Sequence, residues 1–246
     1  METRRSEELF KRFSVLHRLK HFVVIVTFTL LCITGFALKF SHHGWAKALM
    51  WLMGGAQNAG DLHRMCATVF YLVVVLHLVW LGYYKMVLKG RLTGPQSIFP
   101  QVKDFKDLYR NFGYIFGKNP PPAFNRFSYL AKVDYWAVML GMQSMGITGL
   151  LMWYPEFFST VFPGYFINIA NELHFHEAVL AICYIAVVHM TDTHLAPEVF
   201  PVDTSIFSGH ISRKRMVEEH PGEWEDLQPA SAQPPETKDR SRSVKG

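Results

Sequence analysis

The sequence contains only three cysteines, and none of them lies in a pattern that binds a metal or a haem. Cys32, Cys66 and Cys183 are far apart, so disulfides, iron–sulfur clusters and structural zinc all lack support. A CxxCH motif is also absent, which excludes covalent attachment of a c-type haem.

The N-terminal segment lacks the features of a cleavable signal peptide. Residues 1–20 are charged, and the apolar run that follows has no small-residue cleavage site. We therefore expect residues 1–20 to form a basic cytoplasmic N-terminus and the apolar run to stay in the protein as a helix.

Half of the 246 residues are hydrophobic, and many of them lie in four stretches in which charged residues are scarce. These stretches are residues 22–40, 67–84, 135–154 and 175–190. Each approaches the roughly 20 apolar residues that a helix needs to cross about 30 Å of hydrocarbon. We predict an all-α fold in which residues 21–200 form a transmembrane four-helix bundle.

Lysine and arginine are nearly absent from two of the predicted loops, which contain Lys47 alone between them. By contrast, residues 1–20 and the loop 85–132 are rich in both. Basic residues accumulate on the cytoplasmic side of membranes, so both termini and this loop are predicted to be cytoplasmic in a multi-pass protein of the bacterial inner membrane. Anionic lipid headgroups then explain the net charge of +5, and no nucleic-acid partner is expected.

The polar segments outside the predicted spans carry two further patterns. Aromatic and aliphatic residues recur at helical spacing between residues 105 and 116, which predicts a helix on the membrane surface or against a partner subunit. Residues 201–246 form a predicted cytoplasmic tail, and from about residue 221 the tail lacks apolar periodicity, which is typical of disorder.

An internal repeat relates the two halves of the predicted bundle. The sequence Ile-Thr-Gly at residues 33–35 recurs at 147–149, near the ends of the first and third spans. An acidic residue followed by Leu-His at residues 61–63 recurs at 172–174, at the starts of the second and fourth spans. We interpret this pattern as a duplicated helical hairpin.

Two histidines lie on one face of each even-numbered span. On an α-helix, His63 and His77 are about 40° apart in direction and about 21 Å apart along the axis. His174 and His189 are about 60° and about 22 Å apart. The predicted topology places His63 and His174 toward the external leaflet, and His77 and His189 toward the cytoplasmic leaflet.

Paired imidazoles inside a membrane predict haem ligation, because a haem iron takes axial ligands from both sides of its plane. Ionisable side chains in spans are costly and tend to mark function. We therefore expect two b haems between the helices. Gly35 and Gly149 of the repeat leave room for a flat macrocycle or allow ordinary helix packing, and the sequence favours neither.

Two other histidines leave alternatives open. His176 is about 140° from His189, so it is the fallback for His174 only if the helix is irregular at its start. His21 stands where the repeat places Tyr135. Three alternatives follow: His21 replaces His77 as the ligand paired with His189, binds a third haem, or helps to form a quinone pocket. Of the two histidines, His77 is the preferred partner of His189.

Two arginines lie near the predicted haem edges. Arg18 and Arg64 are candidates to neutralise haem propionates, although cations that extend to the membrane interface are commoner.

Several motifs together resemble a known family. RLKHF with a following TGF, then DLHR, the TGLLMW span, HFHEAVLA and HMTDTHLAPEVFP are similar to the four-helix cytochrome b subunits of bacterial membrane oxidoreductases. That group includes the membrane subunits of formate dehydrogenases, thiosulfate reductases and nickel–iron hydrogenases. The resemblance covers residues 12–220.

This resemblance implies two b haems that carry electrons between the quinone pool and a partner redox subunit, either an iron–sulfur protein or a multihaem cytochrome c. In formate dehydrogenase-like members the four ligands match His21, His63, His174 and His189. No ligand matches His77, and the histidine spacing on the fourth span can differ by one. This implication does not agree with the preference for His77 drawn from the repeat.

A different class of function is a haem-free membrane anchor or transporter subunit that uses the histidines as a proton relay. Acidic residues within the spans would favour it, and Glu177 is the candidate.

Overall fold

The architecture is mostly helical in a computed structural model that describes residues 8–196 and 199–228. The helices of membrane length or near it are α1 (Val15–Lys39), α3 (Ala56–Met86), α5 (Tyr129–Trp153) and α7 (Tyr165–Tyr184). A π turn, Ile185–His189, and α8 (Met190–Thr193) continue α7 without a break. The shorter elements are α2 (Gly44–Leu52), α4 (Val102–Ile115), α6 (Pro155–Phe158), α9 (Ser205–Ser208), α10 (Arg213–Glu219), α11 (Pro221–Leu227), and the strands β1 (Leu9–Lys11) and β2 (His210–Ser212).

Local sequence signals set several helix boundaries. The Ser14 hydroxyl accepts a hydrogen bond of 3.2 Å from the His17 N–H and so caps α1. Gly54 and Gly55 separate α2 from α3 with φ of +85° and +110°, a backbone region that glycine adopts without strain. Pro155 begins α6, where the absence of an N–H group costs no helical hydrogen bond.

Among the described residues, three helical segments are long and apolar enough to cross a membrane: Val15–Lys39, Ala56–Met86 and Tyr165–Thr193. Helix α5 has 25 residues but is not among them. Gln143, Ser144 and three glycines in its sequence lower its mean hydropathy. All four predicted spans therefore fall on helices, and three of them meet both requirements.

One compact unit, residues 11–91 and 133–211, contains all of these candidate spans and most of α5. Helices α1 and α3 pack together, and the residues they bury are mostly small, namely Thr27, Thr34, Ala37, Ala59 and Cys66, with Phe70 and Val74. Large apolar side chains instead face outward, such as Val79 and Leu180, which are 63% and 68% exposed. Small residues between helices and apolar residues on the outer surface are typical of proteins in lipid.

The second unit comprises residues 8–10, 92–132 and 212–228 of the described chain. Its helix α4 forms where helical spacing predicts it, and it buries Asp107 and the ion pair of Asp104 with the Lys132 Nζ, at 2.8 Å. Phe105 and Tyr109 point outward and are 72% and 77% exposed. On α4, Asp104 and Asp107 therefore face inward and Phe105 and Tyr109 face outward.

The C-terminal segment of the second unit begins with ordered helices. Helix α11 starts at Pro221, where the sequence predicts disorder, and the carboxylate of Glu223 accepts a hydrogen bond of 2.7 Å from Arg126. Residues 229–246, the remainder of the predicted disordered tail, lie outside the described residues.

Candidate functional site

The first histidine pair joins the starts of the second and fourth predicted spans. His63 on α3 faces His174 on α7, with ring centroids 6.4 Å apart and ring planes at 64°. When two imidazoles bind one metal from opposite sides with metal–nitrogen distances of about 2 Å, their ring centroids are about 6 Å apart. The pair therefore has the separation that axial ligation requires.

The second pair joins α1 to the π turn. His21 faces His189, with ring centroids 6.3 Å apart and ring planes at 42°. This separation also fits two ligands of one metal. The structure thus brings His21, and not His77, to the ring of His189.

The histidines of the first pair are each held by a threonine of the repeat. The Thr34 hydroxyl donates to the Leu30 carbonyl at 2.7 Å, so its lone pair accepts from the His63 Nδ1, at 2.8 Å. Thr148 repeats this arrangement with His174, whose Nδ1 lies 2.9 Å from the threonine oxygen. With Nδ1 protonated, the Nε2 of each imidazole keeps a lone pair for a metal.

The glycines that follow these threonines lie beside the histidine rings. A Cβ at position 35 would lie 3.3 Å from Cε1 of His63, and a Cβ at position 149 would lie 3.5 Å from Cε1 of His174. The contact at position 35 would be tight, so Gly35 gives the ring of His63 space, whereas a Cβ at position 149 would make an ordinary van der Waals contact with His174.

In the second pair, a carboxylate replaces the threonine. The His189 Nδ1–H donates to Oδ2 of Asp134 on α5, at 2.7 Å. The Nδ1 of His21 is buried and has no hydrogen-bond partner among the described residues. The Nε2 of His189 is again the nitrogen that remains available to a metal.

The π turn alters the direction of His189. A π turn contains one residue more than an α-helical turn, so regular α-helical geometry does not describe the angle between His174 and His189. π turns inside α-helices often occur at functional sites, and this one ends on a histidine of the second pair.

His77 has other neighbours. Its Nε2 lies 2.7 Å from the hydroxyl of Tyr135, and its ring stacks on Trp80 with centroids 6.3 Å apart. These two residues are its ring contacts within the described chain.

The fallback histidine and the two arginines lie apart from both pairs. His176 is exposed, and its Nδ1 hydrogen-bonds to the Glu172 carbonyl at 2.7 Å. Arg18 donates to the carbonyl of Phe207, and Arg64 pairs with Asp61. Their guanidinium groups thus have protein partners, so the structure offers no separate support for a propionate role.

His194 lies just beyond the fourth span, with its ring centroid 5.9 Å from that of His189. Burial lowers its pKa, and the nearby His189 lowers it further. His194 is therefore neutral near pH 7.

Sequence reasoning missed Thr34, Thr148 and Asp134 as partners of the paired histidines. The repeat contains a signal for the threonines, because Ile-Thr-Gly recurs in both halves with its threonine at positions 34 and 148. Asp134 lies at the edge of its span and had no signal that linked it to His189.

Apolar helices with two facing histidine pairs are typical of one class of protein, the membrane cytochromes that hold haem between helices. The model of the prokaryotic cytochrome b561 family matches residues 12–191, and the chain belongs to this family. Two relatives are the cytochrome b556(fdo) subunits of formate dehydrogenase from Escherichia coli K12 and O157:H7. Each is 22% identical over 210 residues, which cover 85% of this chain and 89% of the relative.

These matches confirm the resemblance seen in the sequence. The chain is an integral membrane b-type cytochrome of electron transport, and its cofactor is haem b.

Proposed function

We propose that the chain holds two b haems, one between His63 and His174 and one between His21 and His189, and passes electrons between the quinone pool and a partner redox subunit. The observation that supports this most strongly is the pair of ring separations, 6.4 and 6.3 Å, at two places in one helical unit. The hydrogen bonds of Thr34, Thr148 and Asp134 leave the Nε2 of three of the four imidazoles available. Bound haem supplies a reversible one-electron carrier, so the protein residues have to position it and tune it.

The proposal assigns His77 a role other than iron ligation, because its Nε2 is hydrogen-bonded to Tyr135. The proposal therefore pairs His21 with His189 in place of His77, and it counts two haems in place of three. The ligand set then matches the one that the family resemblance implies.

The distribution of basic residues supports the proposed orientation in the membrane, and the relatives support the proposed partners. The basic residues near the N-terminus and in the loop 85–132 favour a bacterial inner-membrane topology with both termini cytoplasmic. The second pair would then face the cytoplasmic leaflet, where we place the exchange with quinone. The relatives are subunits of formate dehydrogenase, so a partner with iron–sulfur clusters or several c-type haems would exchange electrons at the external side.

Lipid is the medium that fits the outer surface of the spans. Leu72, Val79 and Leu180 are all more than half exposed, although such side chains are normally buried in water-soluble proteins. We propose that the exposed aromatic stripe of α4, which includes Phe105 and Tyr109, contacts the membrane surface.

The test is the haem content and optical spectrum of the purified chain. We expect about two haems for each protein and a reducible α-band typical of b-type cytochromes. Protein that is folded and membrane-inserted but has no such band would favour the haem-free proton-relay function, for which the hydrogen bond from Ser144 to Glu177 between α5 and α7 is the supporting contact. About three haems would show that two ligand pairs are too few.

The threonine contacts give a second prediction. Thr34→Val keeps the side-chain shape but removes the oxygen that accepts from the Nδ1 of His63, so we expect haem to bind at this pair about 10- to 100-fold more weakly. Transfer of haem to a competing scavenger measures this loss. Thr27→Val is the control, because Thr27 is also buried on α1 and donates to the Val23 carbonyl but makes no hydrogen bond to a histidine in the described chain. Equal haem retention by both variants would contradict the orienting role.

A further inference from the structure

Asp134 is a carboxylate placed beside a membrane-embedded histidine, where an acidic residue is costly. It lies on the first turns of α5, and its side chain is 24% exposed. Its Oδ2 accepts from the Nδ1 of His189 at 2.7 Å, while its Oδ1 is buried without a hydrogen-bond partner in the described part of the chain. The hydrogen bond to His189 is one contact that this placement provides, and the side chain of Tyr184 also interacts with Asp134.

The two histidine pairs differ in this respect. Both histidines of the first pair donate to neutral threonine hydroxyls. In the second pair, His189 donates to a carboxylate, and the Nδ1 of His21 has no hydrogen-bond partner within residues 8–196 and 199–228. The repeat aligns Asp134 with Lys20 of the first half, so the carboxylate is specific to the second half. The two histidine pairs therefore differ in the charge of the group that accepts the Nδ1–H, and this difference should affect the metal that each pair binds.

Resting on the proposed function, we infer that Asp134 is a positioning residue that lowers the reduction potential of the haem held by His21 and His189. A carboxylate that accepts the Nδ1–H of an imidazole raises the electron density on Nε2 and makes the nitrogen a stronger donor. A stronger donor stabilises ferric iron more than ferrous iron, so it disfavours reduction. Threonine oxygens are weaker acceptors, because hydrogen bonds that involve an ionised group are stronger than neutral ones.

Asp192 is the other acidic group that interacts electrostatically with Asp134 and His189. It lies on α8, three residues after His189, and makes no hydrogen bond to His189 among the described residues. Asp192 therefore offers a matched control, since its removal deletes a nearby negative charge and keeps the hydrogen bond.

The experiment is a potentiometric titration of the purified, haem-loaded chain as wild type, Asp134→Asn, Asp134→Glu and Asp192→Asn. His174→Ala identifies which of the two transitions belongs to the second pair. We expect Asp134→Asn to raise the potential of that transition alone. Asp134→Glu retains a carboxylate and should stay closer to the wild type, and Asp192→Asn should produce a smaller shift than Asp134→Asn.

Two full haems with both potentials unchanged in Asp134→Asn would overturn the inference and leave the proposed function intact. An equal or larger shift of the potential in Asp192→Asn would also overturn it, because loss of a nearby negative charge, and not loss of the hydrogen bond to His189, would then be the cause. If Asp134→Asn does not retain both haems, Asp134→Ser, which resembles the threonine of the first pair, is titrated instead and judged by the same outcomes. A wild-type chain without haem would refute the proposed function itself.

Discussion

His21→Ala should reduce the haem content of the purified chain from about two per protein to about one, whereas His77→Ala should leave about two. The reason is the position of each ring. The ring of His21 lies 6.3 Å from that of His189, where the two imidazoles would hold one haem, so the alanine variant would leave one imidazole in place of two. His77 is hydrogen-bonded to Tyr135 instead, so its loss removes a helix contact and no ligand.

Haem content by pyridine haemochromogen and protein content by amino-acid analysis measure this difference, with the reduced spectrum as a check on ligand state. Tyr135→Phe removes the same hydrogen bond as His77→Ala and is the matched control for a purely structural effect. Loss of one haem in His77→Ala but not in His21→Ala or Tyr135→Phe would restore His77 as the ligand that the repeat favours.

The second large effect concerns the two histidines at the start of the fourth span. His174→Ala should remove the haem of the first pair, whereas His176→Ala should retain both haems. The ring of His174 is oriented by Thr148 and faces His63. The side chain of His176 is 72% exposed, and its Nδ1 bonds to a backbone carbonyl of its own helix.

The two substitutions lie two positions apart on one helix. Each variant therefore controls for the general effect of an alanine at the start of that helix. Haem-to-protein ratio and the low-spin electron paramagnetic resonance signals give two independent measures. A haem loss that is equal in both variants would show that the start of this helix, and not one imidazole, determines binding.

Much of the fold followed from the sequence because apolar length is a strong signal. All four predicted spans fall on helices, and the basic loop contains the predicted helix α4. Helix α5 reaches the length of a span but includes Gln143 and Ser144, which meet Tyr71 and Glu177 on neighbouring helices. Polar residues that bind across helices lower the hydropathy of a span without exposing it to water.

The candidate site was predictable only in part. The repeat and the predicted topology place His63 and His174 toward the same leaflet, and the structure brings their ring centroids to 6.4 Å. The pairing of His21 with His189 depends on where α1 lies relative to the fourth span, and periodicity within one helix contains no information about that arrangement. The contact between Asp134 and His189 is likewise a long-range one, across 55 positions of the chain.

The π turn at Ile185–His189 also bears on how the two halves of the duplication diverged. His63 and His77 are separated by 14 positions and His174 and His189 by 15, so the second half has one inserted residue. A π turn accommodates one inserted residue without displacing the helix on either side. His189 therefore keeps the direction that position 188 would have in an uninterrupted α-helix.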